Sequence, residues 1–306
     1  MGWRAALVSP RTQPAWADRT ERGGAIMGRA AVWLALALGH PVARLLLPAV
    51  TLYFLAVSAG DRAASRVFLR RALAREPGLR DVFRHFHTFA CTVLDRIYVL
   101  RGRVARFDVR VEGEDIVAAL LARGEGCLLM GSHLGSFEII GAIGRRASVP
   151  RVRLVMYRRN AGHLSAAMAA IDPALAAQVI ALGEPDSMLE LDSALSKGEF
   201  AGILADRVLD PEGAVSLPFL GTPARFPRGP FQVAAVLKRP VVLMIGLYRG
   251  GNRYDVFFER LADMSEAGRP ERDVMVEKAM RRYVERLEHY CRLAPYNWFN
   301  FYDYWR

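Results

Sequence analysis

The chain has 306 residues, of which 52% are hydrophobic and 24% charged, so it can bury a large core and is not disordered over most of its length. The formal net charge of +11 indicates a polyanionic partner, which is nucleic acid, an anionic membrane surface or an acidic protein. Arginine greatly outnumbers lysine, and no zinc-finger, RNP or helix-turn-helix pattern occurs, so nucleic acid is not expected. Cys91, Cys127 and Cys291 lie far apart among apolar residues, and we expect reduced core thiols that fit a protein facing the cytoplasm.

The first 60 residues divide into a polar tail and an apolar region. Residues 1–29 have no periodicity and predict a disordered tail, or sequence upstream of the true start codon, with Met27 as an alternative start. Residues 30–60 are strongly apolar but are interrupted by Pro41 and Arg44, so neither half reaches the ~18 to 20 residues of a clean span. We expect hydrophobic helices that form a membrane anchor, either as two segments or as a shallow insertion. A buried pair of core helices is the alternative.

Residues 61–306 are predicted to form a single catalytic domain, which begins with two helical segments. The first carries a row of arginines that is expected to meet anionic lipid: Arg62, Arg66, Arg70, Arg71 and Arg75. The second, over residues 81–100, has apolar residues at helical spacing. His85 and His87 are two apart and face different directions, so they are interpreted as core or surface histidines and not as a metal pair. Asp95 is interpreted as an ordinary surface charge, although a role in orienting a site residue stays open.

Strands and helices then alternate along the chain. Strand patterns cover residues 106–111, 127–130, 151–157, 178–182 and 200–205, and a hairpin joins 240–248 to 253–258; helical patterns include 114–122, 187–198 and 271–293. Polar residues repeatedly follow the strands. This pattern predicts an α/β fold with a mostly parallel, twisted sheet flanked by helices, behind the N-terminal hydrophobic anchor.

The run Gly-Ser-His-Leu-Gly-Ser-Phe-Glu, residues 131–138, follows the most apolar of these strands. On a continuous helix, His133 and Glu138 would lie about 140° apart, so the histidine has to precede the helix if the two are to meet. With a turn at residues 132–134 and a helix that begins near Gly135, the imidazole is able to fold back towards Glu138. A carboxylate on one ring nitrogen suits a general base that takes a proton on the other.

This run resembles the His-x4-Asp/Glu block of the lysophospholipid acyltransferase superfamily, and most closely the branch of the bacterial lipid A late (lauroyl/myristoyl) acyltransferases. Three further blocks are similar to that branch: the Tyr-Arg-Arg-Asn segment at 157–160, the loop that leads to residue 229, and the aromatic tail at 295–306. The tail lacks the family's His-Arg pair, and Ser132 stands where many superfamily members have Asn. The resemblance covers roughly residues 30 to 306.

The resemblance implies a transferase that moves a fatty acyl group from an acyl carrier protein or CoA thioester to a lipid hydroxyl, with no bound cofactor and no metal. His133 would be the general base, Glu138 would orient it, and backbone amides near Gly135, or Arg158, would stabilise the oxyanion. The residues expected to bind substrate are Ser132, Gly135, Arg158, Asp206, Arg207, Arg225 and Arg228. The acceptor stays open between a lipid A precursor, another glycolipid or phospholipid, and a pigment-like lipid. The expected location is the cytoplasmic face of the bacterial inner membrane.

Two other functions are alternatives to acyl transfer. One is a serine-type lipid hydrolase, but the glycine pair around residue 133 has His and not Ser at its centre, so the nucleophile-elbow pattern is missing. The other is a membrane-bound lipid-binding or scaffold protein that keeps the fold without the chemistry. For Arg225 and Arg228, solvated loop charges are the alternative to phosphate binding.

Overall fold

The computed structural model describes residues 32–139, 152–157, 178–184, 186–265, 268 and 270–306. The helices are α1 (His40–Val57), α2 (Ala59–Leu73), α3 (Leu79–Leu100), α4 (Glu114–Ala122), α5 (Ser187–Ser196), α6 (Gly229–Val236) and α7 (Arg272–Leu293). The strands are β1 (Asp108–Glu112), β2 (Leu128–Gly131), β3 (Val152–Tyr157), β4 (Val179–Leu182), β5 (Phe200–Leu204), β6 (Ala214–Phe219), β7 (Thr222–Pro227), β8 (Pro240–Gly250) and β9 (Arg253–Asp263). Short helical segments also cover residues 32–38 and 137–139.

The strands form a seven-stranded sheet in the order β1-β9-β8-β2-β5-β3-β4, with β6 and β7 as a separate hairpin. Every neighbouring pair in the large sheet is parallel except β8 and β9, which form the predicted antiparallel hairpin. The prediction of an α/β protein with a mostly parallel sheet flanked by helices is confirmed. Strand β2 is fully buried between β8 and β5, which explains why its sequence is apolar at each position and does not alternate.

Helix α7 supports the end of β2 from one face of the sheet. Its buried residues recur at intervals of three and four, as expected for an amphipathic helix: Val276, Ala279, Met280, Tyr283, Val284, Leu287, Tyr290 and Cys291. The hydroxyl of Tyr283 donates a hydrogen bond to the carbonyl oxygen of Gly131 over 2.9 Å. Helix α7 therefore fixes the last residue of β2, immediately before the predicted catalytic residues.

The apolar N-terminal region is helical on both sides of Gly39, whose φ of +75° interrupts the helix close to the predicted interruption. In the part of the chain that the structure describes, α1 is the one helix long and apolar enough to cross a membrane, and a single such helix is weak evidence for an anchor. The predicted tail at 1–29 lies outside the described residues. Cys91, Cys127 and Cys291 are free, buried thiols, as predicted.

One interpretation of the helical region needs correction. Asp95 is not a surface charge: its side chain is only 1% exposed and accepts hydrogen bonds from neighbouring helix and sheet residues. In the arginine row, Arg66, Arg70 and Arg75 are exposed, so contact with anionic lipid stays a prediction, although most of the row also has partners within the protein. Arg62 donates to the carbonyl of Leu55, and the remaining contacts of the row are Arg70 with Glu76, Arg71 with the Trp305 ring and Arg75 with Asp81.

Candidate active site

His133 and Asp206 lie side by side at the carboxyl edge of the sheet. Gly131 and Leu204, the last residues of β2 and β5, are paired in register, and each of the two side chains follows its strand end by two residues. The Nδ1 atom of His133 is 2.7 Å from Oδ1 of Asp206, and the backbone N–H of His133 donates to Oδ2 over 2.9 Å. The topology therefore brings together two residues that are 73 positions apart in the chain.

The C-terminal aromatic tail holds the Asp206 carboxylate in place. Trp298 Nε1 and Asn300 Nδ2 donate to Oδ2 over 3.1 and 2.9 Å, and the hydroxyl of Tyr304 donates to the Asp206 carbonyl oxygen over 2.6 Å. The Asp206 side chain is fully buried, where an ionised carboxylate is tolerated only with several donors. These contacts leave Oδ1 to the imidazole, so the carboxylate has one orientation towards His133.

The electrostatics of the pair suit a neutral imidazole next to an ionised carboxylate. Burial opposes ionisation of Asp206, but the His133 imidazole and the Arg207 cation outweigh it and lower the pKa of Asp206 from 3.8 to about 2. Burial, with the positive charges of Arg207 and Arg96, lowers the pKa of His133 below 6.5, although Asp206 pulls in the opposite direction. At neutral pH the Nδ1–H of His133 therefore donates to Asp206, and Nε2 is the nitrogen that can accept a proton.

The expected contact between Glu138 and His133 is replaced by a different one. Among the described residues no hydrogen bond or ion pair joins the two side chains. Glu138 Oε1 lies 2.6 Å from Nε of Arg96 on α3, and Ser136 Oγ donates to Glu138 Oε2 over 3.2 Å. The reason is geometric: the helix starts at residue 137 and carries Glu138 towards α3, while the neighbouring strand β5 already supplies the carboxylate for the imidazole. The Arg96–Glu138 pair nevertheless lies close enough to the site for the charge of Arg96 to lower the pKa of His133.

Gly135 contributes to the site through close packing. Its φ is +72°, and a Cβ atom there would lie 1.9 Å from the carbonyl oxygen of Gly246 on β8. Its backbone N–H donates to the Asn297 carbonyl over 2.8 Å, and the amide of Ser136 donates to Gly246. The expectation that the Gly135 amide stabilises an oxyanion is corrected accordingly, since that donor is already used by the protein. Ser132 is buried beside the histidine.

The predicted arginines are distributed over several places. Arg207 adjoins the pair, and its Nε donates to Asn300 Oδ1 over 2.8 Å. Arg225 donates to the carbonyl of Pro211, and Arg228 pairs with an α7 residue, Asp273, over 2.7 Å. No contact of the described residues connects these last two arginines to His133. Arg158 lies outside the described residues, and its role stays a prediction.

Sequence reasoning missed the partnership between His133 and Asp206 and the three tail residues that support it. Two signals pointed to it. Both residues follow buried apolar strands at a corresponding position, and residues 295–306 are too aromatic for a frayed terminus. What the sequence lacked was the strand order, because only the pairing of β2 with β5 makes the two strand ends neighbours. Among the residues that the structure describes, no group of three or more His, Cys, Asp or Glu side chains is placed to hold a metal ion.

Comparisons with known proteins identify the family of the chain. A search of curated proteins found no match to the chain. The profile of the bacterial lipid A biosynthesis acyltransferases matches residues 17–306, which includes both strand ends, the histidine block and the aromatic tail. On the strength of that match over nearly the whole sequence, the chain belongs to the bacterial lipid A biosynthesis acyltransferase family.

Proposed function

We propose that this protein transfers a fatty acyl group from a thioester donor to a hydroxyl of a lipid A-like acceptor, with His133 as general base and Asp206 as its orienting carboxylate. Membership of the family supports acyl transfer to a lipid A-like acceptor. The observation that carries the mechanism is the 2.7 Å contact between His133 Nδ1 and Asp206 Oδ1 at the end of two central strands. Ligands of open α/β sheets bind at this edge.

In the proposed reaction, Nε2 of His133 removes the proton from the acceptor hydroxyl as the oxygen attacks the thioester carbonyl carbon. The resulting imidazolium is stabilised by the buried Asp206 carboxylate, whose low pKa keeps it ionised. The tetrahedral intermediate then expels the thiolate, and the imidazolium returns the proton to the sulfur. The products are an acyl ester and a free thiol, and no acyl-enzyme is formed.

Positive charge next to the imidazole offsets the charge of the tetrahedral oxyanion. Arg207 is close enough to lower the pKa of His133, so its field also reaches an oxygen that binds beside the ring. Arg158 is the second candidate, as predicted from the sequence. The amides of His133, Gly135 and Ser136 are excluded, because each already donates to a protein acceptor.

Donor binding is assigned to basic residues away from the pair. Asp273, the partner of Arg228, has a side chain that is 82% exposed, so their ion pair contributes only about 0–1 kcal/mol and is easily exchanged for a phosphate. Arg225 is exposed as well. We assign these arginines to the phosphopantetheine of an acyl carrier protein or to CoA, at the cytoplasmic face of the inner membrane. Neither a metal nor a bound cofactor enters the proposed reaction.

The proposal is tested by mass spectrometry of lipids extracted from cells that contain or lack the protein. The expected result is a lipid species heavier by one acyl chain that disappears without the protein and returns with the wild-type gene, but not with Asp206→Ala. An unchanged lipid profile would favour the non-catalytic lipid-binding protein. Release of free fatty acid from lipids, without a new acylated product, would favour the hydrolase.

A further inference from the structure

Helix α1 has its polar side chains turned inward. His40 Nε2 is 2.7 Å from Asp95 Oδ1, and Arg44 Nη1 is 3.4 Å from the same oxygen. The hydroxyl of Tyr254 on β9 donates to the other oxygen of Asp95 over 2.7 Å. About two turns beyond Arg44, Thr51 Oγ1 lies 3.2 Å from Nδ1 of His87 on α3. The charged and polar positions of α1 therefore attach it to the catalytic domain.

The opposite side of α1 is apolar and exposed. The exposed large side chains on the helix are Val42, Leu45, Leu46, Val50, Leu52, Tyr53, Phe54 and Val57, with Leu45 78% and Tyr53 62% exposed. At 100° per residue these positions cover more than half of the helix circumference, on the side away from Asp95. Trp33 continues the surface on the preceding segment and is 70% exposed. A surface helix in water shows the reverse pattern, so this apolar face indicates a site of interaction.

Exposed arginines border this face at its N-terminal end. The Tyr98 hydroxyl donates to the Ala35 carbonyl over 2.7 Å, and the guanidinium groups of Arg103 and Arg106 lie 5.8 and 5.7 Å from the Tyr98 ring centre. Together with Arg101 they form a basic rim, and all three residues are exposed. Apolar side chains next to fixed positive charge are complementary to an anionic bilayer surface. A second copy of this chain is less complementary to this surface, because it would bring the same arginines next to a chain whose net charge is already +11.

The packing also indicates how α1 meets the bilayer. Residue 40 faces residue 95 and residue 51 faces residue 87, so α1 runs antiparallel along α3. If α1 crossed the membrane, α3 would enter the hydrocarbon with it. Arg80 and Arg84 on α3 are exposed, and transfer of their charges into the hydrocarbon is energetically costly. We propose that α1 lies in the plane of an anionic membrane surface, with its apolar face immersed, the basic rim on lipid headgroups and Asp95 holding it to the catalytic domain. This inference rests only on the membrane location in the proposed function and not on its chemistry.

Vesicle flotation of the full-length protein tests the surface. Wild type should float with vesicles of phosphatidylglycerol and phosphatidylcholine, and Leu45→Glu combined with Leu52→Glu should reduce the bound fraction at least tenfold. The matched control is Leu189→Glu on α5, where an equally exposed leucine, at 71%, lies on another helix and should leave binding unchanged. Changing the basic rim to glutamine should weaken binding to anionic vesicles in a salt-dependent manner. Absence of wild-type binding, or a dimer in solution that the double variant dissociates, would overturn the proposal.

Depth measurements separate an in-plane helix from a span. Three variants each carry a single new cysteine in place of Val42, Leu46 or Tyr53, which share one strip of the exposed face. Each new cysteine is labelled with a fluorophore, which is quenched by lipids that carry a quencher at a known depth. The native cysteines are buried. An in-plane helix places the three labels at equal depth. A span separates the first and last by about 16 Å at 1.5 Å per residue, and that result would overturn the proposal. Turnover on a detergent-solubilised acceptor is measured in parallel, so that failure of membrane binding and failure of the acyltransferase chemistry are distinguishable.

Discussion

Replacing Asp206 with Asn tests the proposed catalytic pair with the smallest change of shape. The amide has nearly the same volume as the carboxylate and keeps part of its contacts with Trp298 and Asn300, but it carries no charge. It can also present an N–H to the imidazole, which favours the tautomer with the proton on Nε2. His133 would then hold its proton on the nitrogen that must accept one, so the fold should survive while the base is lost.

The size of the effect follows from the contacts of the carboxylate. The fall of the Asp206 pKa from 3.8 to about 2 corresponds to about 2 kcal/mol of preference for the ionised form in the folded protein. That preference is present above about pH 4 and is lost as the pH falls towards 2. Because part of it comes from the protonated imidazole, which is neutral at pH 7, Asp206→Asn should lower the free energy of unfolding at pH 7 by at most about 2 kcal/mol. Loss of the tautomer and of imidazolium stabilisation should reduce kcat by ~10³-fold to 10⁴-fold, as for an orienting carboxylate in a catalytic triad.

The assay follows transfer of a radiolabelled acyl chain from its thioester to a lipid acceptor, with circular dichroism and thermal unfolding on the same samples. Asp210→Asn is the matched control, because Asp210 lies in the same loop, is exposed and accepts a hydrogen bond from the Glu212 amide. It should change neither rate nor stability. Near-normal activity of Asp206→Asn, together with a loss of 10³-fold or more in Glu138→Gln, would refute the assignment and restore Glu138 as the partner of His133.

Three further predictions concern the site. Because burial and nearby arginines lower the pKa of His133 below 6.5, kcat/KM should rise as the pH increases through that lowered pKa and be level at neutral pH. A kcat/KM that does not fall on acidification, down to the lowest pH at which the protein stays folded, would exclude His133 as the base. Trp298→Phe keeps an aromatic ring but removes the N–H that donates to Asp206, and should cost about 1–3 kcal/mol in thermal unfolding and reduce the rate; full activity and an unchanged melting temperature would make that hydrogen bond dispensable. Gly135→Ala should prevent folding or lower the free energy of unfolding by more than about 3 kcal/mol, because its Cβ would overlap Gly246. Gly221→Ala, at φ +81° with open space around it, should lower that free energy by only about 1 kcal/mol. Equal losses of stability in chemical denaturation would contradict the packing argument.

The sequence was informative where local pattern determines structure. The apolar run of β2, the hairpin of β8 and β9, and the long helix α7 all follow from periodicity and turn residues, and the histidine was correctly placed after a strand and before a helix. These features depend on neighbouring residues in the chain, which a single sequence contains.

Features that depend on strand order were not accessible in the same way. Asp206 was recognised as polar and at a strand end, but its pairing with His133 requires β5 to lie beside β2, which no local signal specifies. Asp95 was interpreted as a surface charge for a similar reason. Its partners come from α1 and β9, 55 and 159 residues away in sequence, so its burial is a property of the tertiary structure.

The central claim, that His133 is the base of an acyl transfer, is tested most directly by single-turnover transfer with the purified His133→Ala protein. The acyl thioester and a lipid A-like acceptor are mixed with enzyme in excess, and acylated lipid is quantified by mass spectrometry. We expect wild type to produce the acylated lipid and His133→Ala to produce none above the uncatalysed background, with an unchanged circular dichroism spectrum and vesicle binding. Near-normal transfer by the folded His133→Ala protein would contradict the mechanism.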